Sequence, residues 1–158
     1  MPHFEAWSEA RGRAVIAAQA SQEGAALPIL HALQEAFGHI PREALPLVAS
    51  ALNLSRAELH GIVTFYHDFR AAPPGTHVLK LCRAEACQSM GADALAAETR
   101  QRLRIDWGET TADGWLTLEP VFCLGLCACA PAAMFDGKVV GALDQARLES
   151  LLDRAREK

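Results

Sequence analysis

With 158 residues, 51% of them hydrophobic, the chain can build one compact domain, or a domain with a small appendage. A net charge of −4 supplies no basic face for nucleic acid. No apolar run approaches the roughly 18 residues that would insert directly into a membrane. The opening residues Met1 to Trp7 lack the basic and apolar regions of a secretory leader, so a cytoplasmic location is expected.

The first part of the chain predicts helices. An Ala-rich segment from about Trp7 to Ala20 forms the first. In the second, Ala26, Leu30, Leu33 and Phe37 recur at helical spacing, Pro28 occupies an early turn and Gly38 ends the helix. A third is expected from Pro41, burying Leu45, Val48 and Leu52, with Pro46 forcing a kink or a late start. Ser55-Arg56-Ala57-Glu58 is a capping box that opens a fourth, with Leu59, Ile62, Val63 and Tyr66 as its buried face. Helical spacing assigns Phe65, Tyr66 and Phe69 to core packing, with an exposed docking patch as the alternative. His60 and His67, which flank this segment, are expected at the surface or hydrogen-bonded in the core.

Pro73-Pro74-Gly75 breaks the pattern and marks a boundary, dividing a helical bundle over 1–72 from a second domain over 73–158. His77 to Cys82 alternates as a strand, Gly91 to Ile105 suits a helix with Leu95 and Leu103 inward, and Trp115 to Phe122 suits a second strand. Ala133 to Phe135 and Lys138 to Leu143, joined by Asp136-Gly137, predict a hairpin. Asp144 to Arg156 closes the chain as a helix carrying Leu148, Leu151 and Leu152. The order β-α-β-β-α fits a small thioredoxin-like α+β layer fold.

Four of the five cysteines fall in two tight pairs. Cys82 and Cys87 are separated by four residues, and Cys123 and Cys127 by three. Each pair begins where a predicted strand ends, so both sit on loops at one end of the sheet. Four thiolates delivered in that way suit a [2Fe–2S] cluster in an apolar, enclosed setting. A structural zinc ion also takes four cysteines, usually through C-x2-C knuckles, and would make the chain a zinc-stabilised interaction module. Scattered buried cysteines are the third reading. Gly125 lets the backbone turn closely and aim N–H groups at sulfur. Cys129 is expected to pack as a small hydrophobe, and Pro131 to end the loop in an extended conformation. Arg83 and Glu85 either tune a redox site or cap a solvated loop. No residue has the setting of a general base, a nucleophile or a phosphate cradle, so no catalytic residue is expected on this chain.

The segments Cys82-Arg83-Ala84-Glu85-Ala86-Cys87, Cys123-Leu124-Gly125-Leu126-Cys127 and Ala130-Pro131 resemble the thioredoxin-like [2Fe–2S] ferredoxin family, which includes a subunit of respiratory complex I. Leu30 to Pro41 and His60 to Tyr66 resemble that family's helical N-terminal part, and the likeness covers about residues 25 to 145. It implies an N-terminal helical bundle that docks a partner, followed by a thioredoxin-like ferredoxin domain. It also implies Cys82, Cys87, Cys123 and Cys127 as ligands of one [2Fe–2S] cluster, beside a partner subunit that carries FMN and handles NAD(H). Complex I, NAD-linked hydrogenases and soluble NAD-dependent formate dehydrogenases use such a module. The wording of the two cysteine loops is most like the gamma subunit of the formate dehydrogenase, whose catalytic subunit carries molybdenum or tungsten. Cys129 departs from the pattern and has no implied role.

Overall fold

The computed structural model describes residues 4–156. It is an α+β fold in two compact units, one ending at Pro74 and the other beginning at Gly75.

The first unit is helical: α1 (Glu9–Gln19), α2 (Ala26–Phe37), α3 (Ala44–Leu52) and α4 (Arg56–Phe65). Ile29, Leu30, Leu33 and Phe37 of α2 are fully enclosed, packed with Val15 and Ile16 of α1, Val48 of α3 and Leu59 of α4. Ala26, expected in that stripe, is only half-buried, and Ile29 takes the inward position one turn before Leu33. Gly38 caps α2 in the left-handed conformation.

The third helix starts late, at Ala44, which puts Pro46 in the first turn, where its missing N–H removes no helical bond. Its inward residues are Ala44, Val48 and Ala49, while Leu45 and Leu52 are half-buried. Both arms of the capping box at the start of α4 are made: Glu58 N–H donates to Ser55 Oγ (3.2 Å) and Ser55 N–H to Glu58 Oε2 (2.8 Å). The Ser55 N–H foremost, then its hydroxyl, holds the Glu58 carboxyl below its usual range.

The buried face expected for α4 is corrected. Only Leu59 is buried; Ile62 and Val63 are half-buried, and Tyr66 is exposed. Phe65, at 72% exposure, faces solvent, and of the three aromatics only Phe69 is buried. The helix ends at Phe65 and Tyr66 adopts an extended backbone, so helical periodicity no longer governs where the last two rings point.

The second unit holds a four-stranded sheet in the order β2-β1-β3-β4. Its strands are β1 (His77–Cys82), β2 (Leu116–Val121), β3 (Ala133–Phe135) and β4 (Lys138–Val140). β1 and β2 are parallel, with Leu79 opposite Leu118 and Cys82 opposite Val121, and are joined through α5 (Glu85–Ser89) and α6 (Ala92–Leu103). β3 runs antiparallel to β1 and pairs with β4. The Asp136-Gly137 turn has positive φ at both residues (47° and 79°), the geometry that a two-residue hairpin of this hand requires. α7 (Gln145–Arg156) begins behind Asp144, whose carboxylate accepts the Arg147 N–H at 2.8 Å.

One sheet face presents Leu79, Leu81, Leu116, Leu118 and Ala133, which pack with Leu95 and Ala96 of α6 and Leu148 and Leu152 of α7. Strands with period two and helices with period 3.6 thus bury one shared face. Because β1 and β2 run in the same direction, their C-terminal ends lie side by side. Both cysteine loops leave from there.

Candidate metal centre

β1 ends on Cys82, and β2 ends at Val121, two residues before Cys123. Hydrogen bonds tie the two loops at this edge. Arg83 N–H donates to the Val121 carbonyl (2.8 Å), and Cys82 N–H to the Ala132 carbonyl (3.0 Å). Cys87 lies in α5, a single helical turn inside what the sequence presents as a loop. Cys127 opens a 3₁₀ turn, Cys127–Cys129. A small apolar cluster gathers Cys82 and Cys87 with Ala92 and Ala132, and Val121, Leu124, Leu126 and Ala130 pack against it.

The pairs differ in burial. Cys82 and Cys87 are 3% and 2% exposed, whereas Cys123 and Cys127 are exposed. The enclosure expected from sequence therefore holds for one pair only. The Cys123 and Cys127 sulfurs are 3.9 Å apart. Among the described residues, no group of three or more His, Cys, Asp or Glu side chains is arranged to hold a metal ion.

Backbone geometry shapes the second loop. Cys123 has φ 82°, a left-handed conformation that costs a non-glycine residue about 1–3 kcal/mol. Gly125 follows at φ 75°, and its N–H donates to Cys123 Sγ at 3.4 Å. The strained turn brings the sulfur back over its own loop. It also directs the N–H groups of Cys123 and Leu124 at the sulfur of Cys82, on the other loop.

Three of the thiols, Cys82, Cys87 and Cys127, are shifted by their surroundings. Burial opposes a thiolate at Cys82, but the N–H groups of Ala84, Cys123 and Leu124, together with the Cys87 thiol, hold its pKa below the usual value. At Cys87, burial first, then the bond to Cys82 and the negative charges of Cys82 and Cys127, push the thiol up against the Ala132 N–H. The hydrogen bond and charge of Cys123, then burial and the charge of Cys82, push Cys127 up. Cys82, Cys87 and Cys127 act on one another in this way and cannot all ionise without positive charge among them. Two ferric ions would supply it, and N–H donors aimed at sulfur suit a cluster's thiolates. Four thiols on two adjacent loops are a donor set that fits a [2Fe–2S] cluster, in which Cys82 and Cys87 would form one pair and Cys123 and Cys127 the other.

Cys129 is corrected: its side chain is exposed and does not pack in the core. Its backbone is held instead, with Cys129 N–H donating to the Leu126 carbonyl and its own carbonyl accepting the Ala142 N–H. Ala130 is extended before Pro131, as expected, and the bond between them is cis. Of the two readings left open for Arg83, a free loop tip does not match its contacts: its guanidinium lies over Trp107, 5.3 Å from the ring centroid, with Asp93 at 3.7 Å.

Gly125 offers a direct test of the N–H donors. A Cβ placed there would meet nothing within 4 Å, so substitution acts through the backbone conformation alone. Gly125→Val should disturb the turn more than Gly125→Ala. Weaker N–H···S bonding should lower the midpoint potential by some tens of millivolts, where about 59 mV is tenfold for one electron. An EPR-monitored redox titration measures it, and both variants titrating at the wild-type potential would reduce Gly125 to a turn residue.

The family model described as thioredoxin-like [2Fe-2S] ferredoxin matches residues 13–156. The chain belongs to this family. It is 38% identical over 135 residues to a subunit of the NADH-quinone oxidoreductase of Rhizobium meliloti (strain 1021), covering 85% of this chain and 80% of the relative. It is 33% identical over 131 residues to the HndA subunit of the NADP-reducing hydrogenase of Solidesulfovibrio fructosivorans, covering 83% and 77%. A crystal structure of an NAD+-reducing [NiFe]-hydrogenase in the air-oxidized state superposes with a TM-score of 0.70 at 27% identity. That match covers 84% of this chain and 23% of the hydrogenase chain, so the present chain spans less than a quarter of that structure's length. The thioredoxin-like α+β fold expected from sequence is thereby shown. The likeness extends to subunits of complex I and of hydrogenases, and none of these relatives is a formate dehydrogenase subunit.

Proposed function

We propose that this chain is an electron-transfer subunit that holds one [2Fe–2S] cluster on Cys82, Cys87, Cys123 and Cys127 next to a flavin- and NAD(H)-binding subunit. The observation that carries the reading is the delivery of two close thiol pairs from the adjacent ends of parallel strands, in a chain of this family. When bound, such a cluster supplies a one-electron redox site. The chain's own residues would ligate it, exclude water from the Cys82 and Cys87 side, and direct N–H groups at the sulfurs. The exposed Cys123 and Cys127 side leaves a short route to a partner. Hydride chemistry would belong to FMN on the neighbouring subunit.

The helical unit would dock that partner, and the solvent-facing rings of Phe65 and Tyr66 support this role. No helix among the described residues is long and apolar enough to cross a membrane, which fits association through protein partners. For the whole assembly we favour a soluble cytoplasmic NAD-dependent formate dehydrogenase with a molybdenum or tungsten catalytic subunit, on the wording of the two cysteine loops. An equivalent place in complex I or in an NAD-linked hydrogenase is the second reading, favoured by the relatives themselves.

Affinity purification of the tagged full-length chain from its own cells distinguishes the two. The formate dehydrogenase reading predicts copurifying FMN together with molybdenum or tungsten, and formate-dependent reduction of NAD. Recovery of nickel with a hydrogenase subunit, or of quinone-reductase subunits, would overturn it.

A further inference from the structure

We propose that Trp107 is a positioning residue that holds the Arg83 guanidinium as a fixed positive charge beside Cys82, and that this charge raises the reduction potential of the site. The inference rests on the cluster reading above.

Arg83 is the residue after Cys82, its Cα about 3.8 Å further along the chain. Its backbone is fastened on both sides, the N–H to the Val121 carbonyl and the carbonyl to the Gln88 side chain at 2.8 Å. One bond reaches the strand that leads to Cys123, and the other reaches the residue after Cys87. The root of the side chain is therefore tied into both halves of the site.

The side chain is held at its far end as well. The Arg83 guanidinium lies over the Trp107 ring at 5.3 Å, and that of Arg100 lies over the same ring at 5.8 Å. Both are within the range of a cation–π contact. The Nε atoms of both arginines are buried without a hydrogen-bond partner, so the indole face is what compensates their loss of water. Trp107 is itself set in place: its side chain packs against the core between sheet and helices, and its backbone N–H donates to Asp106 Oδ1, whose carboxylate also pairs with Arg100 at 2.7 Å.

The carboxylate nearest Arg83 is Asp93 in the first turn of α6, at 3.7 Å and largely exposed. A wet, stretched ion pair cancels little of the charge. Salt screens charges over a length of roughly 10 Å, so a charge carried by the residue next to a ligand is only partly screened from it. Adding an electron makes a cluster more negative, so a fixed cation there favours the reduced form.

The test is an EPR-monitored titration of the full-length, cluster-loaded chain with dithionite and redox dyes, after iron and sulfide analysis. Arg83→Gln should shift the reduction equilibrium threefold to tenfold toward the oxidised form, a lowering of about 28 to 59 mV. Arg83→Lys should keep most of the wild-type value. Trp107→Leu should lower the potential in the same direction, and Arg83→Gln with Trp107→Leu should fall no further than Arg83→Gln alone. Asp93→Asn should move it upward. Trp107→Phe, which keeps a ring, serves if the leucine variant does not fold, and it should stay near wild type. An unchanged potential in Arg83→Gln with the cluster intact would overturn the proposal, as would equal, additive shifts from the two single variants. Absence of iron and sulfide from the wild-type chain would instead sink the underlying cluster reading, before any potential is measured.

Discussion

Serine in place of Cys87 is expected to strip the chain of its cluster, reducing bound iron and sulfide from about two of each per chain to near none. Cys87 is 2% exposed and sits in an apolar cluster with Cys82, Ala92 and Ala132. A hydroxyl is a harder, far less acidic donor than a thiol, and at this position it would be buried without water to help it ionise. Serine at Cys82 should do the same. Serine at the exposed Cys123 or Cys127 should alter the EPR signal strongly or abolish it, because solvent can assist an oxygen ligand there. Cys129→Ser should keep iron, sulfide and signal, since its exposed thiol is assigned no ligand role. Iron and sulfide analysis with EPR of the dithionite-reduced protein separates the five variants. Loss of the signal in Cys129→Ser, with Cys127→Ser unaffected, would exchange the roles of those two residues.

Leu118→Ala should cost the sheet-bearing unit about 2–5 kcal/mol, the range for deleting a fully enclosed leucine side chain. Leu118 has no exposed surface, stands opposite Leu79 in register, and packs in the core that joins the sheet to α6 and α7. Its strand carries the chain to Cys123, so the same change should slow cluster uptake. Native-state amide exchange of β1 and β2 measures the loss through the opening free energy of their protected N–H groups. A change below about 1 kcal/mol, the size expected of a surface position, would contradict the core placement.

Where local chemistry decides the backbone, the sequence could be read directly. The Ser55 and Glu58 capping box, the Asp136-Gly137 turn and the left-handed cap at Gly38 are short-range events, and each forms as its residues dictate. The delivery of the two cysteine loops from strand ends was equally legible: β1 ends on Cys82 as expected, and β2 stops at Val121, one residue short of the expected Phe122.

What escaped was set by tertiary context. α5 spans five residues and has too few turns to show a period, so Cys87 looked like a loop residue. Phe65 and Tyr66 follow the helical spacing of Leu59 and Ile62 but stand where α4 stops, and spacing carries no information past a helix end. Cys129 is drawn outward with its 3₁₀ turn, although cysteine as a residue type favours burial. The positive φ at Cys123 has no sequence signature, because only the crossed hydrogen bonds of the two loops make that strain tolerable. The grip of Trp107 on Arg83 spans 24 positions, further than any local pattern reaches.

The central claim, that the two thiol pairs hold a two-iron cluster, is tested most directly by metal, sulfide and EPR analysis of the full-length chain purified without oxygen. The cluster reading predicts a red-brown protein with about two irons and two acid-labile sulfides per chain, and a rhombic signal that develops on reduction with dithionite. A colourless, EPR-silent chain carrying about one zinc ion would contradict it and make the cysteines a structural site.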